Sequence, residues 1–161
     1  MYSKILVALD MSERAETVFN SALSLATSNG SSLLLLHVLS SEEDYSPLPI
    51  PSDLWELYPA GGNDLTVETW RQQWVEFEKT GMKTLQSRVN MAKEKGIEAQ
   101  YQQSYGNPAR TICRVAKEWP ADLIVLGRRG RSGLGELLLG SVSNHVLHHA
   151  HCCILTVQSP K

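Results

Sequence analysis

The stretch KILVALDMSERAETVFNSALSLATSNGSSLLLLHVL, residues 4–39, decides the fold of this chain. It opens and closes on apolar runs, Lys4–Leu9 and Ser32–Leu39, that do not alternate with polar residues, a pattern typical of strands buried on both faces. Between them, the apolar residues of 15–26 recur at helical spacing, and Gly30 is placed to end a helix. The stretch therefore predicts a strand, a helix and a second, parallel strand.

The rest of the chain continues this alternation. Ser12 is the predicted N-cap of the first helix. The remaining predicted elements are helices over 65–95, 108–119 and 141–150 and strands over 98–106, 121–127 and 152–158. The order βαβαβαβαβ predicts a doubly wound parallel α/β sheet, and the polarity of 98–106 indicates an edge strand. Ligands of such sheets bind beyond the carboxyl ends of the strands, where Asp10, residues 38–40 and Gly127 would converge.

Composition limits the classes of function. A chain of 161 residues, 42% of them hydrophobic, suits one domain spanning 1–161. The net charge of −2 favours neither a nucleic-acid-binding nor a membrane-binding surface. The longest purely apolar run, residues 5–9, is too short to span a bilayer, as is the run at 33–36, and the first residues lack a signal-peptide pattern. Three cysteines form a poor disulfide framework, so we expect a cytoplasmic location.

Residues 40–63 differ in composition from their surroundings. They hold four of the seven prolines and a Gly-Gly pair, which predicts a mobile insertion loop between the second strand and the second helix. Trp55 and Tyr58 lie within this segment, and aromatic residues in a proline-rich loop need a surface to pack on. The loop is expected either to cover a ligand or to reach a partner subunit.

The stretch VLGRRGRSGLGELLLGSVSNHV, residues 125–146, contains five glycines. A P-loop requires a lysine after its last glycine, but Gly140 is followed by Ser141. A dinucleotide fingerprint starting at Gly133 would place its third glycine at Leu138, and the segment follows the fourth strand rather than the first. Neither motif is therefore assigned.

The glycine positions do predict a phosphate site built from backbone. Gly127 would leave room for a ribose at the end of a strand, and Gly130 would let the chain turn with its amides facing inward. Gly140 and Ser141 would open a helix whose free amides attract an anion, with the Ser141 and Ser143 hydroxyls as further donors. This arrangement predicts a phosphate cradle without a lysine.

Three parts of the sequence carry a resemblance to a known family. The spacing Gly-x2-Gly-x9-Gly-Ser of residues 127–141 resembles the nucleotide-binding motif of universal stress proteins, as do ILVALDMSERA, residues 5–15, and CCILTV, residues 152–157. The resemblance covers nearly the whole chain except 40–63 and points to the glycine-motif subgroup, which binds ATP. It implies a Rossmann-like fold, similar to the adenine nucleotide alpha hydrolases, with strand order 3-2-1-4-5.

The resemblance also implies a set of ligand contacts. Asp10 and the backbone of Val38 would lie against adenine and ribose. The residues expected around ribose and phosphates are Gly127, Gly130, Gly140, Ser141, Val142 and Ser143. Independently of the resemblance, Arg128, Arg129 and Arg131 flank this cradle, and one of them could reach a phosphate, although arginines on a loop are more often solvated. ATP, ADP, AMP and a cyclic nucleotide all stay open as ligands, with Mg²⁺ bound through the phosphates. A homodimer pairing through the last strand, Cys152 to Val157, is a further implication.

Two functions are compatible with these features. The first is an adenine-nucleotide-dependent sensor or regulator in the stress response, a role implied by the resemblance alone. The alternative is a weak ATPase or nucleotide transferase with Asp10 holding Mg²⁺. No set of acid, base and nucleophile emerges, so no catalytic residue is assigned and any hydrolysis is expected to be slow.

The histidines and cysteines of residues 145–153 are the other chemistry-bearing cluster. His145 and His149 have the i, i+4 spacing that can chelate a metal, but His148 and His149 point about 100° apart on a helix, so a solvated last helix turn is the favoured interpretation and no metal site is assigned. His37, within an apolar strand, is expected to be a hydrogen-bonded core residue.

Overall fold

A computed structural model describes residues 1–43, 45–47, 63–128 and 140–158, with the backbone alone for 63–66. Most of the predicted insertion, including Trp55 and Tyr58, lies outside these residues, as do Gly130 and Arg131. The elements are β1 Lys4–Leu9, α1 Arg14–Asn29, β2 Ser32–Leu39, α2 Asn63–Glu94, β3 Ala99–Tyr105, α3 Pro108–Glu118, β4 Leu123–Gly127, α4 Ser141–His149 and β5 Cys153–Val157. Their order is the predicted one.

The five strands form one parallel sheet in the order β3-β2-β1-β4-β5. This confirms the predicted doubly wound sheet, including β3 at an edge. In the register, Val7 of β1 lies between Leu35 of β2 and Val125 of β4. The carboxyl ends of these three central strands consequently lie side by side at one edge of the sheet. This is the switch point of the fold, because β2 and β3 lie on one side of β1 and β4 and β5 on the other.

Each face of the sheet is covered by a pair of helices. On one face, α1 and α2 pack on alternate residues of the central strands; this core includes Phe19, Leu35, Leu85 and Val125. On the other face, α3 and α4 pack on the intervening residues, including Leu36 and Leu126. Both faces of β1, β2 and β4 are therefore buried, which explains why their sequences do not alternate.

The helix starts agree only partly with expectation. Asn107 caps α3 as predicted, since its side-chain oxygen accepts a hydrogen bond from the Arg110 amide at 3.1 Å. The predicted cap at Ser12 is wrong, because Glu13 occupies the N-cap of α1 without a side-chain bond. The Ser12 hydroxyl instead donates to the Asp10 carboxylate at 2.5 Å, since a carboxylate is the stronger acceptor.

The carboxyl-terminal strand also begins slightly later than predicted. β5 starts at Cys153, so Cys152 precedes the strand rather than belonging to it. Cys153 is exposed, whereas Cys152 and Cys113 are half-buried, and all three thiols are free. No helix in the described ranges is both long and apolar enough to cross a membrane.

Candidate functional site

An open cleft lies at the carboxyl ends of β1, β2 and β4, with an empty volume of about 920 Å³ that includes space open to solvent. Its floor is apolar. The floor residues come from these three strands and from α3, and are Ala8, Leu36, Val38, Ile112 and Leu126. Leu36 and Leu126 are also part of the core beneath α3 and α4, so the floor is rigid. A flat apolar group such as an aromatic heterocycle fits this surface.

One wall of the cleft is the amino-terminal end of α4. Gly140 is the N-cap, and its carbonyl accepts the first helical hydrogen bond from the Asn144 amide at 2.9 Å. The amides of residues 141–143 precede that bond, so they have no partner within the helix. Because residues 140–143 line the cleft, these amides and the positive end of the helix dipole form an anion-binding terminus there.

Gly127 completes this wall at the end of β4, and its lack of a side chain has a packing reason. A Cβ added at this position would lie 3.2 Å from Cγ2 of Val18 in α1. Residue 127 is thus confined from the α1 side as well as lining the cleft. The glycine serves the close approach of α1 in addition to any space it leaves for a ligand.

The polar side chains of the α4 wall differ in availability. Ser143 is buried, and its hydroxyl donates to the Gly140 carbonyl at 2.9 Å, which stabilises the helix start. Ser141 is exposed at the first helical position. Arg128 is tied to β5 through its backbone amide, which donates to the Val157 carbonyl at 2.9 Å, while the residue itself lines the cleft. Ser141 and Arg128 are therefore better placed than Ser143 to meet an anion.

The opposite wall is the turn between β1 and α1. Oδ1 of Asp10 accepts hydrogen bonds from the Ser12 amide at 3.1 Å and from the Ser12 hydroxyl at 2.5 Å. The Met11 amide between them donates to Oε1 of Glu43 at 2.7 Å. This wall thus presents carboxylates on an ordered turn, facing the amides of α4 across the cleft.

The structure brings together most of the residues that the sequence predicts for this site. The predicted residues that line the cleft are Asp10, Val38, Gly127, Arg128, Gly140, Ser141, Val142 and Ser143. Gly130 and Arg131 lie outside the described residues. Arg14, Glu42 and Glu43 also line the cleft and were missed. The two glutamates begin the segment whose composition predicts a loop, and nothing in that pattern shows that the chain turns back over β1.

The histidine cluster forms no metal site in the part of the chain that the structure describes. The rings of His145 and His149 stack with centroids 4.0 Å apart and planes 12° apart. A metal ligand must place its metal in the plane of the imidazole ring, so two rings stacked face to face do not converge on one ion. Nδ1 of His149 is also 2.8 Å from the carbonyl oxygen of His145, a hydrogen bond that is typical of the last turn of a helix.

A doubly wound α/β domain with an anion-binding helix terminus at its switch point defines a class of small-ligand-binding proteins. The model of the universal stress protein family matches residues 1–158, and the chain belongs to that family. It is similar to Universal stress protein Slr1101 of Synechocystis, with 52% identity over 105 residues, covering 65% of this chain and 97% of that protein. It is also similar to Sll1388 of the same organism, with 36% identity over 160 residues and 98% of each chain covered.

Solved structures agree in fold. The protein MJ0577 matches with a TM-score of 0.75 at 22% identity, over 100% of this chain and 99% of that one. An Arabidopsis thaliana universal stress protein with AMP bound matches at 0.60 and 22%, over 98% and 92%. One from Archaeoglobus fulgidus in complex with dAMP matches at 0.61 and 23%, over 96% and 97%, and another in complex with cAMP at 0.64 and 21%, over 99% of each chain. Three solved universal stress proteins of this fold thus hold an adenine nucleotide.

Proposed function

We propose that this chain binds an adenine nucleotide in the described cleft and acts in the cytoplasm as a nucleotide-dependent sensor or regulator of the stress response. The observation that carries the proposal is the meeting of three features in one cleft: the apolar floor, the amino terminus of α4 and the ordered turn at Asp10. Membership of the universal stress protein family supports the regulatory role.

Each part of an adenine nucleotide has a matching surface. The adenine ring lies on the apolar floor between Val38 and Leu126, where aromatic area is removed from water. Asp10 accepts a hydrogen bond from a ribose hydroxyl or an adenine amino group, because an ionised carboxylate only accepts. A phosphate occupies the α4 terminus, with the amides of residues 141–143 as donors and Arg128 beside them.

Both the cleft lining and the structural neighbours bear on how many phosphates the ligand carries. Three of the structural neighbours hold AMP, dAMP and cAMP, which all carry a single phosphate. The described lining contains arginines but no lysine. We propose the glycine-motif, ATP-binding subgroup for this chain, with AMP and ADP held at the same site and Mg²⁺ bound through the phosphates when a polyphosphate is present.

The direct test is the nucleotide content of the purified protein. Heat-denatured protein would release its ligand into the supernatant, and chromatography would identify it as AMP, ADP, ATP or a cyclic nucleotide. Protein stripped of ligand would then be titrated with each nucleotide by calorimetry, with and without Mg²⁺. We expect saturable binding at one site per chain, whereas finding no nucleotide and no binding would remove the proposal.

A second candidate is a slow ATPase or nucleotide transferase. The observation that favours it is the carboxylate-rich wall, since Asp10 and Glu42 both line the cleft and carboxylates are ligands that Mg²⁺ prefers. The stripped protein would be incubated with ATP and Mg²⁺ and followed for ADP or AMP over many hours. Repeated turnovers lost in Asp10→Ala would establish the enzyme, and unchanged ATP would favour the sensor.

We also propose that two copies pair through β5, within the predicted segment Cys152 to Val157. β5 bonds to β4 on one side, and Ile154, Leu155 and Val157 are only half-buried in the single chain. An apolar sheet edge of this kind needs cover, and a second copy supplies it by a two-fold axis.

Light scattering coupled to gel filtration tests the dimer. Thr156→Lys puts a charge on the half-buried edge and should convert a dimer to a monomer, because like charges would meet across the axis. Thr80→Lys, on the exposed part of α2, is the matched control and should stay dimeric. A wild-type mass of one chain would contradict the pairing.

A further inference from the structure

A buried polar network lies behind the Asp10 wall, on the opposite face of β2 from the cleft floor. Nε2 of His37 is 2.9 Å from both carboxylate oxygens of Glu43. The exposed fractions of these residues are only 2% and 8%. Oε1 of Glu43 also accepts the hydrogen bond from the Met11 amide at 2.7 Å. A buried carboxylate therefore joins β2 to the turn that carries Asp10.

Gln103 on β3 fixes the state of the histidine. Nε2 of Gln103 is 3.2 Å from the Glu78 carbonyl, which can only accept, so this nitrogen is the donor side of the amide. The same nitrogen is 3.0 Å from Nδ1 of His37. Nδ1 must then be the acceptor, and the proton of a neutral ring sits on Nε2 and is donated to Glu43. The network thus has one consistent direction, from Gln103 through His37 to Glu43.

The amide of Gln103 is held in this orientation at a cost. Its oxygen, Oε1, is buried without a hydrogen-bond partner in the described part of the chain. Rotating the amide would turn that oxygen toward the Glu78 carbonyl, where two acceptors would repel each other. The amide of Gln103 therefore keeps its donor toward Nδ1 of His37 although this leaves Oε1 without a partner.

Stability alone does not account for such a network. Burying a carboxylate and an imidazole removes both from water, and apolar residues of similar volume are commonly as stabilising or more so. The network instead fixes the position of one backbone amide, that of Met11, which donates to Glu43. Met11 lies between Asp10 and Ser12, whose own hydrogen bond closes the turn. The turn is thereby fixed from two sides.

We propose that Glu43 is a positioning residue for nucleotide binding, held by His37 and Gln103, which anchors the Met11 amide and so keeps the Asp10 carboxylate facing the nucleotide. The inference rests on the proposed function, because its effect is measured as nucleotide affinity. It assigns to the start of the segment after β2 a role that composition does not suggest.

A purely electrostatic role for Glu43 predicts the opposite result. A carboxylate lining a cleft that holds phosphate repels it, so removing the charge would tighten AMP binding. Loss of positioning would weaken binding by about tenfold, the size of one lost hydrogen bond to a charged group. The sign of the change in affinity therefore separates the two roles.

The experiment compares Glu43→Ala, Glu43→Gln and the control Glu76→Ala by titration with AMP. Oε1 contacts both the Met11 amide and His37, so the glutamine oxygen can keep both bonds, but the glutamine NH2 replaces Oε2 and faces the Nε2 proton of His37, where two donors repel. We expect about tenfold weaker binding for alanine, a smaller loss for glutamine, which keeps the bond from the Met11 amide, and no change for Glu76→Ala, whose exposed carboxylate lies on α2. The Met11 amide resonance of the nucleotide-free protein should move upfield and exchange faster with solvent in Glu43→Ala.

If Glu43→Ala binds AMP as tightly as the wild type or more tightly, the inference is overturned while the proposed function stands. A wild-type protein that binds no adenine nucleotide would remove both. Where Glu43→Ala does not fold, Gln103→Met replaces it, because Gln103 is not part of the cleft lining and reaches the turn only through His37. About threefold weaker AMP binding and a shifted Met11 resonance support the inference, and an unchanged affinity overturns it.

Discussion

The two walls of the cleft offer different groups to a ligand. The α4 wall offers backbone amides at residues 141–143 as its main donors, so added bulk should do more harm there than the loss of any one side chain. The β1 wall offers the carboxylate of Asp10, so the side chain itself is the contact, and the residues behind it determine where it points. We therefore expect the α4 wall to be sensitive to added volume and the β1 wall to lost atoms.

Adding volume to the α4 wall should have the largest effect. Gly140 has φ −57° and ψ 156°, a conformation that valine adopts without strain, so Gly140→Val should fold. Its branched side chain would fill the anion site and separate the phosphate from at least two amides. We expect AMP affinity to fall by roughly a hundredfold or more, which corresponds to the loss of about 3 kcal/mol, and calorimetry measures it.

The matched control places the same side chain elsewhere on α4. Asn144→Val adds a valine at an exposed position away from the cleft lining, and AMP affinity should stay within about twofold of wild type. Equal affinities in Gly140→Val and wild type would show that the phosphate does not sit at the α4 terminus.

Removing atoms from the β1 wall should have the next largest effect. Asp10→Ala deletes the acceptor for a ribose hydroxyl, and AMP affinity should fall by roughly tenfold or more, whereas Asp10→Asn keeps an acceptor oxygen and should fall less. Titrations with AMP and 2′-deoxy-AMP locate the contact. If wild type prefers AMP and Asp10→Ala has lost that preference, Asp10 contacts the 2′-hydroxyl, whereas tighter binding by Asp10→Ala would mean that the carboxylate only repels phosphate.

The two serines of the α4 wall should differ, although their sequence positions suggest equal roles. Ser141→Ala removes an exposed hydroxyl at the mouth of the anion site, and AMP affinity should fall about threefold to tenfold. Ser143→Ala removes a hydroxyl that already donates to Gly140, so the melting temperature should fall while affinity changes less than about threefold. The reverse pattern would place the phosphate deeper along α4.

The smallest effect concerns the thiols, of which Cys113 and Cys152 pack against the core beneath α3 and α4. Burial raises the pKa of Cys113 and is also the first cause that raises the pKa of Cys152, so less thiolate forms at these residues at neutral pH. Exposed Cys153 should therefore react first with iodoacetamide at pH 7.5, followed by mass spectrometry. The reaction of the two slower thiols should rise with pH up to a midpoint above the ordinary thiol value, and faster reaction of Cys113 would contradict its burial.

The fold was predictable because its determinants are local. Strands such as Lys4–Leu9 and Ser32–Leu39 are continuous apolar runs, and both have the predicted bounds. The α4 wall was predictable for the same reason, since a glycine followed by a helix produces free amides whatever packs around it. Features set by short-range geometry can be read from one stretch of chain.

The β1 wall was only half predictable, since it depends on contacts distant in sequence. Asp10 follows from its position after β1, but the Met11 amide pairs with Glu43, 32 residues further along the chain. His37 is a hydrogen-bonded core residue as expected, yet one partner, Gln103, is 66 residues away. Ser12 was assigned to the helix cap because local patterns do not show that the neighbouring carboxylate competes for its hydroxyl.

Gly81 ties these distant parts together. It lies within α2, where a glycine costs about 1 kcal/mol relative to alanine, yet an added Cβ would come within 2.6 Å of both Nε2 of Gln103 and Nδ1 of His37. With a side chain at residue 81, the helix, His37 or Gln103 would have to shift from its present position. Residues 37, 81 and 103 should consequently change together among related sequences. A relative that has a larger residue in place of Gly81 should also have replaced the histidine or the glutamine, and so lack this hydrogen-bond network.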